Sequence, residues 1–342
     1  MSSQRSRGSS RWKHAVVLVT GGTGSFGQEF IKVLLREHRP KKLIIFSRDE
    51  LKQHEMQTHG FNQPALRYFI GDVRDVDRLR RAMQGVDIVV HAAALKQVPS
   101  CEYNPFEAVR TNVLGAQNVI EAAIDCRVKK VMALSTDKAV NPVNLYGATK
   151  LCAEKMFIQS NSYRVKGVPK FSCVRYGNVL ASRGSVITLF RKQQREQGVI
   201  TITDPAMTRF WVTLTQGVWF VIRAIERMEG GEIFVPKLPS MRVVDVSRTL
   251  APSCKVRYIG VRPGEKLHES LISEDEVRHT VEREGMYVIR PEFPWWRRQQ
   301  PSKRKALPSG FRYCSDTNTW WLTGPDLKRM TGELSAEPNG RE

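Results

Sequence analysis

Paired cysteines are missing from this chain. Its six cysteines (101, 126, 152, 173, 254 and 314) fall at irregular spacings without a C-x-x-C, so neither a zinc site nor a disulfide framework is indicated and no metal is expected. Long apolar runs are missing too. None approaches the roughly 20 residues of a membrane span, and residues 1–14 are polar and basic without the apolar stretch of a secretory signal. A soluble protein of a reducing cytoplasm is the expectation. Acidic residues are scarce, 34 against 54 Lys and Arg, for a formal net charge of +20. That balance raises nucleic acid as a partner, but its distribution speaks against it. Arg5, Arg7, Arg11 and Lys13 stand unopposed at the N-terminus, and residues 290–312 carry seven basic side chains against Glu292, among them Trp295-Trp296-Arg297-Arg298 and Lys303-Arg304-Lys305. No nucleic-acid-binding signature accompanies them, so they read as solvated tail and linker, and no nucleic-acid partner is expected. The remaining excess would help attract an anionic, phosphate-bearing ligand. Internal repeats are also absent.

The chain has 342 residues with 41% hydrophobic content, enough for a substantial core in one large or two unequal domains. Apolar β-branched runs at 15–20, 42–46, 67–70, 87–91, 130–134 and 171–175 alternate with helix-period stretches such as 28–36 and 105–123. This alternation predicts βαβ units and an α/β fold with a Rossmann-type, doubly wound parallel sheet. After about residue 180 the pattern loosens into Gly/Pro-punctuated pieces such as Arg262-Pro-Gly-Glu265. The expected organisation is a basic flexible N-terminus (1–14), a dinucleotide-binding domain (15–180), a mainly substrate-binding lobe whose chain can cross back to the sheet (181–290), and a basic segment with a C-terminal tail (291–342).

The first chemical motif is Thr20-Gly21-Gly22-Thr23-Gly24-Ser25-Phe26-Gly27, in which Gly22, Gly24 and Gly27 have G-x-G-x-x-G spacing between a strand and a helix. Glycine permits the tight turn and the backbone's close approach to a pyrophosphate, and the helix start offers free N–H groups. At the end of the second strand, Ser47-Arg48 suits the extra phosphate of NADP. Asp49, were it to turn inward, would repel that phosphate and bind the diol of NAD. NADP is the favoured reading and NAD the alternative. Asp72-Val73 after the third strand suits the adenine, and Ala92-Ala93-Ala94 after the fourth lets a cofactor lie against backbone.

The second motif is Tyr146-x-x-x-Lys150, whose i,i+4 spacing sets both side chains on one helix face. A neighbouring ammonium favours the tyrosine phenolate, which can then take a proton from a sugar hydroxyl while hydride leaves. Ser135-Thr136-Asp137-Lys138 lies just upstream and adds a second proton-handling pair.

With these motifs the chain resembles the extended short-chain dehydrogenase/reductases, and within them the nucleotide-sugar 4,6-dehydratases, most closely the inverting enzymes that act on UDP-N-acetylglucosamine. Further matching pieces are Gly71–Asp75, His91–Lys96, Asn144–Lys150, Val174–Val179, Met207–Trp211 and Gly260–Glu269. The resemblance implies that NADP is tightly bound and regenerated in each turnover, with Gln53, Lys96, Thr111, Tyr146, Lys150 (on the nicotinamide ribose) and Val179 joining the cofactor contacts named above. It implies that Tyr146 and Lys150 oxidise carbon 4 and that Thr136 orients the carbon 4 oxygen. Lys138 then removes the carbon 5 proton, which needs a lowered pKa, and Asp137 helps protonate the departing carbon 6 hydroxyl. Lys96, Asn178, Arg183, Arg209, Arg262 and Glu265 would contact the UDP-sugar, with Arg209 and Arg262 clamping the diphosphate. A homo-oligomer, dimer or hexamer, is implied, as is a place in pseudaminic acid biosynthesis and flagellin glycosylation. Asp-Lys where dTDP-glucose dehydratases carry Asp-Glu, and Tyr146 where membrane-anchored relatives resemble Met, separate those branches. Gln97 stands where His is expected and Ala181 where Gly is expected. An epimerase, a retaining dehydratase and a non-enzymatic NADP-sensing protein remain the alternatives.

Overall fold

The structure is a computed structural model that describes residues 12–163, 168–180, 185–293, 307–308 and 310–335. Six strands, β1 (Val16–Thr20), β2 (Lys42–Ser47), β3 (Leu66–Ile70), β4 (Ile88–His91), β5 (Lys130–Leu134) and β6 (Lys170–Val174), form where the β-branched runs predict them. They pair in parallel in the order β3-β2-β1-β4-β5-β6. The near-continuous apolar sequences of β1, β2, β4, β5 and β6 follow from burial on both faces, whereas β3, at the sheet edge, is only partly covered. On one face lie Leu79 and Met83, Val119 and Ile120, and Phe157, from the helices Val76–Met83, Gly115–Asp125 and Leu145–Gln159. On the other lie Phe30, Ile31, Val218 and Val221, from Ser25–Val33 and Leu214–Arg227. Each such fully buried side chain contributes about 1.5–3 kcal/mol relative to exposure.

The remaining strands are β7 (Asn178–Val179), β8 (Val199–Ile202), β9 (Thr208–Val212), β10 (Ile233–Pro236), β11 (Ser240–Arg242), β12 (Lys255–Tyr258), β13 (Ser270–Ile272), β14 (Thr280–Arg283), β15 (Met286–Ile289) and β16 (Tyr313–Cys314). Three of them return to the main sheet: β10 pairs parallel with β6, and β15 and β14 follow antiparallel, completing the order β14-β15-β10-β6-β5-β4-β1-β2-β3. The others form small sheets, β11-β9-β7, β12-β8 and β13-β16. Beside these sheets Trp211, Ile200, Phe190, Val246 and Leu327 close a separate apolar cluster.

The segment expected to be a flexible N-terminus up to His14 enters the fold earlier. Trp12 is 1% exposed, and its indole N–H donates to Glu226 at 2.9 Å. Residues of the expected C-terminal tail are also built in: β16 pairs with β13, and Tyr313 packs against Phe210. Trp295–Arg298 and Lys303–Lys305 lie outside the described residues. No described helix is long and apolar enough to cross a membrane.

Candidate active site

A cleft of about 630 Å³ opens at the C-terminal ends of the parallel strands. Its floor is the glycine turn after β1. Gly21 has φ +67°, and a Cβ there would lie 2.9 Å from the Ala93 backbone nitrogen. Gly27 lets Ser25–Val33 pack directly on the turn, since a Cβ would lie 2.5 Å from the Gly22 Cα. Gly24 caps that helix without a side-chain hydrogen bond, and the positive end of the helix dipole faces the cleft. A chain of small residues against exposed helix N–H groups fits a nicotinamide dinucleotide's pyrophosphate. Gly21, Thr23, Gly24, Ser25, Phe26 and Gly27 all line it.

At the end of the cleft formed by the C-terminus of β2, Thr23 and Ser47 share a hydroxyl–hydroxyl bond at 2.9 Å. Arg48, Asp49, Asp72 and Val73 also line the cleft there. Asp49 is occupied elsewhere: it caps Glu50–Thr58, accepting from the Lys52 backbone N–H at 3.0 Å and pairing with the Lys52 ammonium. Those Lys52 bonds hold its carboxyl below the usual carboxylate range. Arg48 Nη1 stands 3.7 Å from Asp72, which also accepts from Arg74 at 2.8 Å. Gln53, expected at the cofactor, does not line the cleft. It is buried and donates to the Ser47 and Phe69 carbonyls at 3.0 and 3.3 Å, tying β2 to β3.

The chemical end is built from two segments that meet. Leu145–Gln159 starts at Asn144, whose side chain accepts from Gly147 N–H at 2.7 Å. Tyr146 and Lys150 are one turn apart on the cleft side of that helix. Lys150 donates to the Leu134 carbonyl at 2.6 Å, and burial lowers its pKa. Burial pushes Tyr146 up to about 12, with Lys138 acting against that rise. Asp137 is 1% exposed, accepting from Thr136 at 2.8 Å and from Lys138 Nζ at 3.1 Å. Burial, which the Lys138 charge opposes and the Glu269 charge reinforces, pushes the Asp137 carboxyl above the usual range.

Lys138 reverses one expectation. Burial acts to lower its pKa, but Asp137 and Glu269, at 3.1 and 3.3 Å, outweigh that and hold it above an ordinary lysine. It rests as an ammonium.

Thr136, Ala92, Ala93, Lys96, Thr111, Asn178 and Val179 also line the cleft. Arg209, Arg262 and Glu265 do not. The Arg209 guanidinium donates to the carbonyls of Thr208, Leu267 and Lys266 at 2.7, 3.0 and 2.9 Å, which is what a buried guanidinium needs in place of water. Arg262 donates to Glu265 at 3.0 Å. Arg183 lies outside the described residues.

Sequence reasoning missed two residues of the site. Glu269 reaches Lys138 from the loop before β13, and its only signal is its place at the end of the Gly260–Glu269 piece. Asn112 holds the Leu95 backbone through both its N–H and its carbonyl, at 2.8 and 2.9 Å, and donates to Thr149 at 3.0 Å. It thereby locks the loop after β4 to the helix that carries Tyr146.

Comparison with known proteins agrees with this geometry. The family described as polysaccharide biosynthesis protein matches residues 17–291. The chain is 50% identical over 319 residues to the inverting UDP-N-acetylglucosamine 4,6-dehydratase of Campylobacter jejuni, covering 91% of this chain and 95% of that protein. It is 45% identical over 280 residues to the UDP-glucose 4-epimerase of Rickettsia felis, covering 80% and 82%. Among solved structures, Pen from Bacillus thuringiensis superposes with a TM-score of 0.86 at 39% identity, over 95% of this chain and 98% of that one. The dTDP-glucose 4,6-dehydratase DesIV of Streptomyces venezuelae, solved with NAD and TYD bound, shares the fold with a TM-score of 0.66 at 23% identity, over 73% and 86%. The chain belongs to the polysaccharide biosynthesis protein family, on the fold of the extended short-chain dehydrogenase/reductases.

Proposed function

We propose that this chain is an NADP-dependent UDP-N-acetylglucosamine 4,6-dehydratase, a hydro-lyase that inverts carbon 5. The observation that carries the reading is the meeting of two proton-handling pairs in one cleft, Tyr146/Lys150 and Asp137/Lys138, at the end of a dinucleotide cradle. A nicotinamide dinucleotide held along the Gly21–Gly27 turn would supply the hydride acceptor for carbon 4 and the hydride donor for carbon 6. Tyr146 takes the carbon 4 hydroxyl proton, and the charges of Lys150 and Lys138 favour the phenolate it needs. Thr136 orients the carbon 4 oxygen. Once carbon 4 is a ketone the carbon 5 proton is acidic, and Lys138 removes it after passing a proton of its own to Asp137, 3.1 Å away. Asp137, whose protonated form burial favours, donates that proton to the carbon 6 oxygen so that water leaves. Return of a proton to carbon 5 from the opposite face inverts that centre.

NADP is proposed over NAD because Asp49 spends its carboxylate on capping a helix, while Ser47, Arg48 and Lys52 line the cleft where an extra phosphate would sit. Lys96 and Asn178 line the sugar side. Arg183, Arg209, Arg262 and Glu265 are retained as candidate contacts to the UDP moiety. Cytoplasmic location, a homo-oligomer and a role in pseudaminic acid-type sugar biosynthesis belong to the same reading.

Purified protein incubated with UDP-N-acetylglucosamine, without added reductant, should yield a keto sugar lighter by one water. A product of unchanged mass and altered configuration would favour the second reading, a 4-epimerase, which the 45% identity to the Rickettsia protein keeps in play.

A further inference from the structure

Lys138 is held from two sides. Asp137, its neighbour in sequence, lies 3.1 Å from Nζ, and Glu269, from the loop before β13, lies 3.3 Å from it. Glu269 is 2% exposed. Burying a carboxylate costs several kcal/mol unless it is paired and hydrogen-bonded, and here three cations surround it: Lys138, Lys266 at 3.7 Å and Arg209 at 3.9 Å. Of these three only Lys138 lines the cleft. Arg209 is already bonded to three carbonyls, and Lys266 donates to the Val140 carbonyl. The backbone of Glu269 is pinned as well. Its N–H donates to Ser315 Oγ at 3.0 Å and its carbonyl accepts from the Ser315 N–H at 2.8 Å, while Ser315 itself is fully buried and bonded to Thr208 at 2.7 Å. With its backbone fixed and its side chain buried, Glu269 offers Lys138 a carboxylate from a set position.

We propose that Glu269 is a positioning residue for Lys138: from the loop before β13 it pairs with the same ammonium as Asp137 and fixes where the amine stands in the cleft. The inference rests on the reading of Lys138 as the carbon 5 base. Lys138 is faced by Asp137 and Thr136 from its own segment, by Tyr146 from Leu145–Gln159, by Glu269 from the loop before β13, and by Arg209 from β9. Of these, Asp137 is engaged as the acid for the leaving hydroxyl. Glu269 is therefore the anionic neighbour of the lysine that takes no part in the proton transfers themselves.

The test compares wild type, Glu269→Gln, Glu269→Asp and Lys138→Ala by steady-state dehydration of UDP-N-acetylglucosamine across pH, with nicotinamide binding as the check on folding. Removing a negative neighbour eases deprotonation of the lysine. In Glu269→Gln the rising limb of kcat should therefore move to lower pH by about one unit, with kcat down at least about tenfold and KM changed by less than about threefold. Glu269→Asp, which keeps the charge, should hold the limb near wild type with an intermediate kcat, and it carries the test if Glu269→Gln does not fold, an unchanged kcat then counting against the proposal. Wild-type protein that makes no dehydrated product, or Lys138→Ala with undiminished rate, overturns the underlying reading and the inference with it. A working wild type and an inactive Lys138→Ala, alongside Glu269→Gln with unchanged kcat and pH limb, overturn the inference alone.

Discussion

The carbonyl oxygen of Lys138 occupies the space where a side chain on Gly147 would begin, 2.2 Å from the position of its Cβ. This contact presses the start of the Leu145–Gln159 helix onto the Asp137–Ala139 turn. It sets the distance between the pair assigned to oxidation and the pair assigned to elimination.

Gly147→Ala should therefore separate the two pairs without touching the cofactor cradle. The expected cost is about 1–3 kcal/mol of stability, typical of overpacking, and a loss of dehydration of at least about tenfold with cofactor affinity retained. Urea unfolding, product formation and a cofactor titration on the same sample check it.

Asp137→Asn should abolish dehydration and stabilise the folded protein. Burial raises the folded-state pKa of Asp137 above the ordinary 3.8, so the native state holds its proton longer than the unfolded chain. Its favourable contribution is full below the unfolded pKa and is lost as pH rises through the folded one. The advantage of Asn over Asp should accordingly grow as pH rises across that window and then level off. Unfolding midpoints measured at a series of pH values would show this, and an advantage that shrinks with rising pH would refute it.

Arg48→Ala bears on cofactor choice. Loss of a charge-assisted hydrogen bond to the extra phosphate is worth about 1.5–3 kcal/mol, so NADP affinity should fall about ten- to a hundredfold while NAD affinity changes little. Fluorescence titration with each dinucleotide measures the difference. Equal losses for both would show that Arg48 does not read the phosphate.

Arg175 is fully buried and joins three elements: it donates to Glu154 at 3.2 Å, to Glu276 at 2.9 Å and to the Leu271 carbonyl at 2.9 Å. Arg175→Met leaves the buried Glu154 carboxylate unpaired and should destabilise the protein by about 3–5 kcal/mol. Adding Glu154→Leu removes that orphaned charge and should recover part of the loss in urea unfolding.

Much of this fold is legible in the sequence, because strands buried on both faces must be apolar throughout. The runs that form β1 to β6 announce themselves, and the glycine turn and Tyr146/Lys150 follow from fixed local spacings. What the sequence conceals is long-range pairing. Nothing near Glu269 indicates that it meets Lys138, and the expectation that the 181–290 chain crosses back to the sheet does not pick out β10, β14 and β15 as the segments that do so. Arg209 is a good diphosphate ligand by residue type alone, but the loop at Lys266 and Leu267 presents carbonyls to it first. Lys138 likewise needs the three-dimensional charge count, since its second carboxylate is what turns an expected lowering of pKa into a rise.

The most direct test of the central claim is NMR of the product formed from UDP-N-acetylglucosamine in deuterated water, with only catalytic NADP present. The account predicts a 4-keto-6-deoxy sugar with deuterium at carbon 5 and inverted configuration there. Recovery of a sugar that retains its carbon 6 hydroxyl, whether unchanged or epimerised at carbon 4, would contradict it.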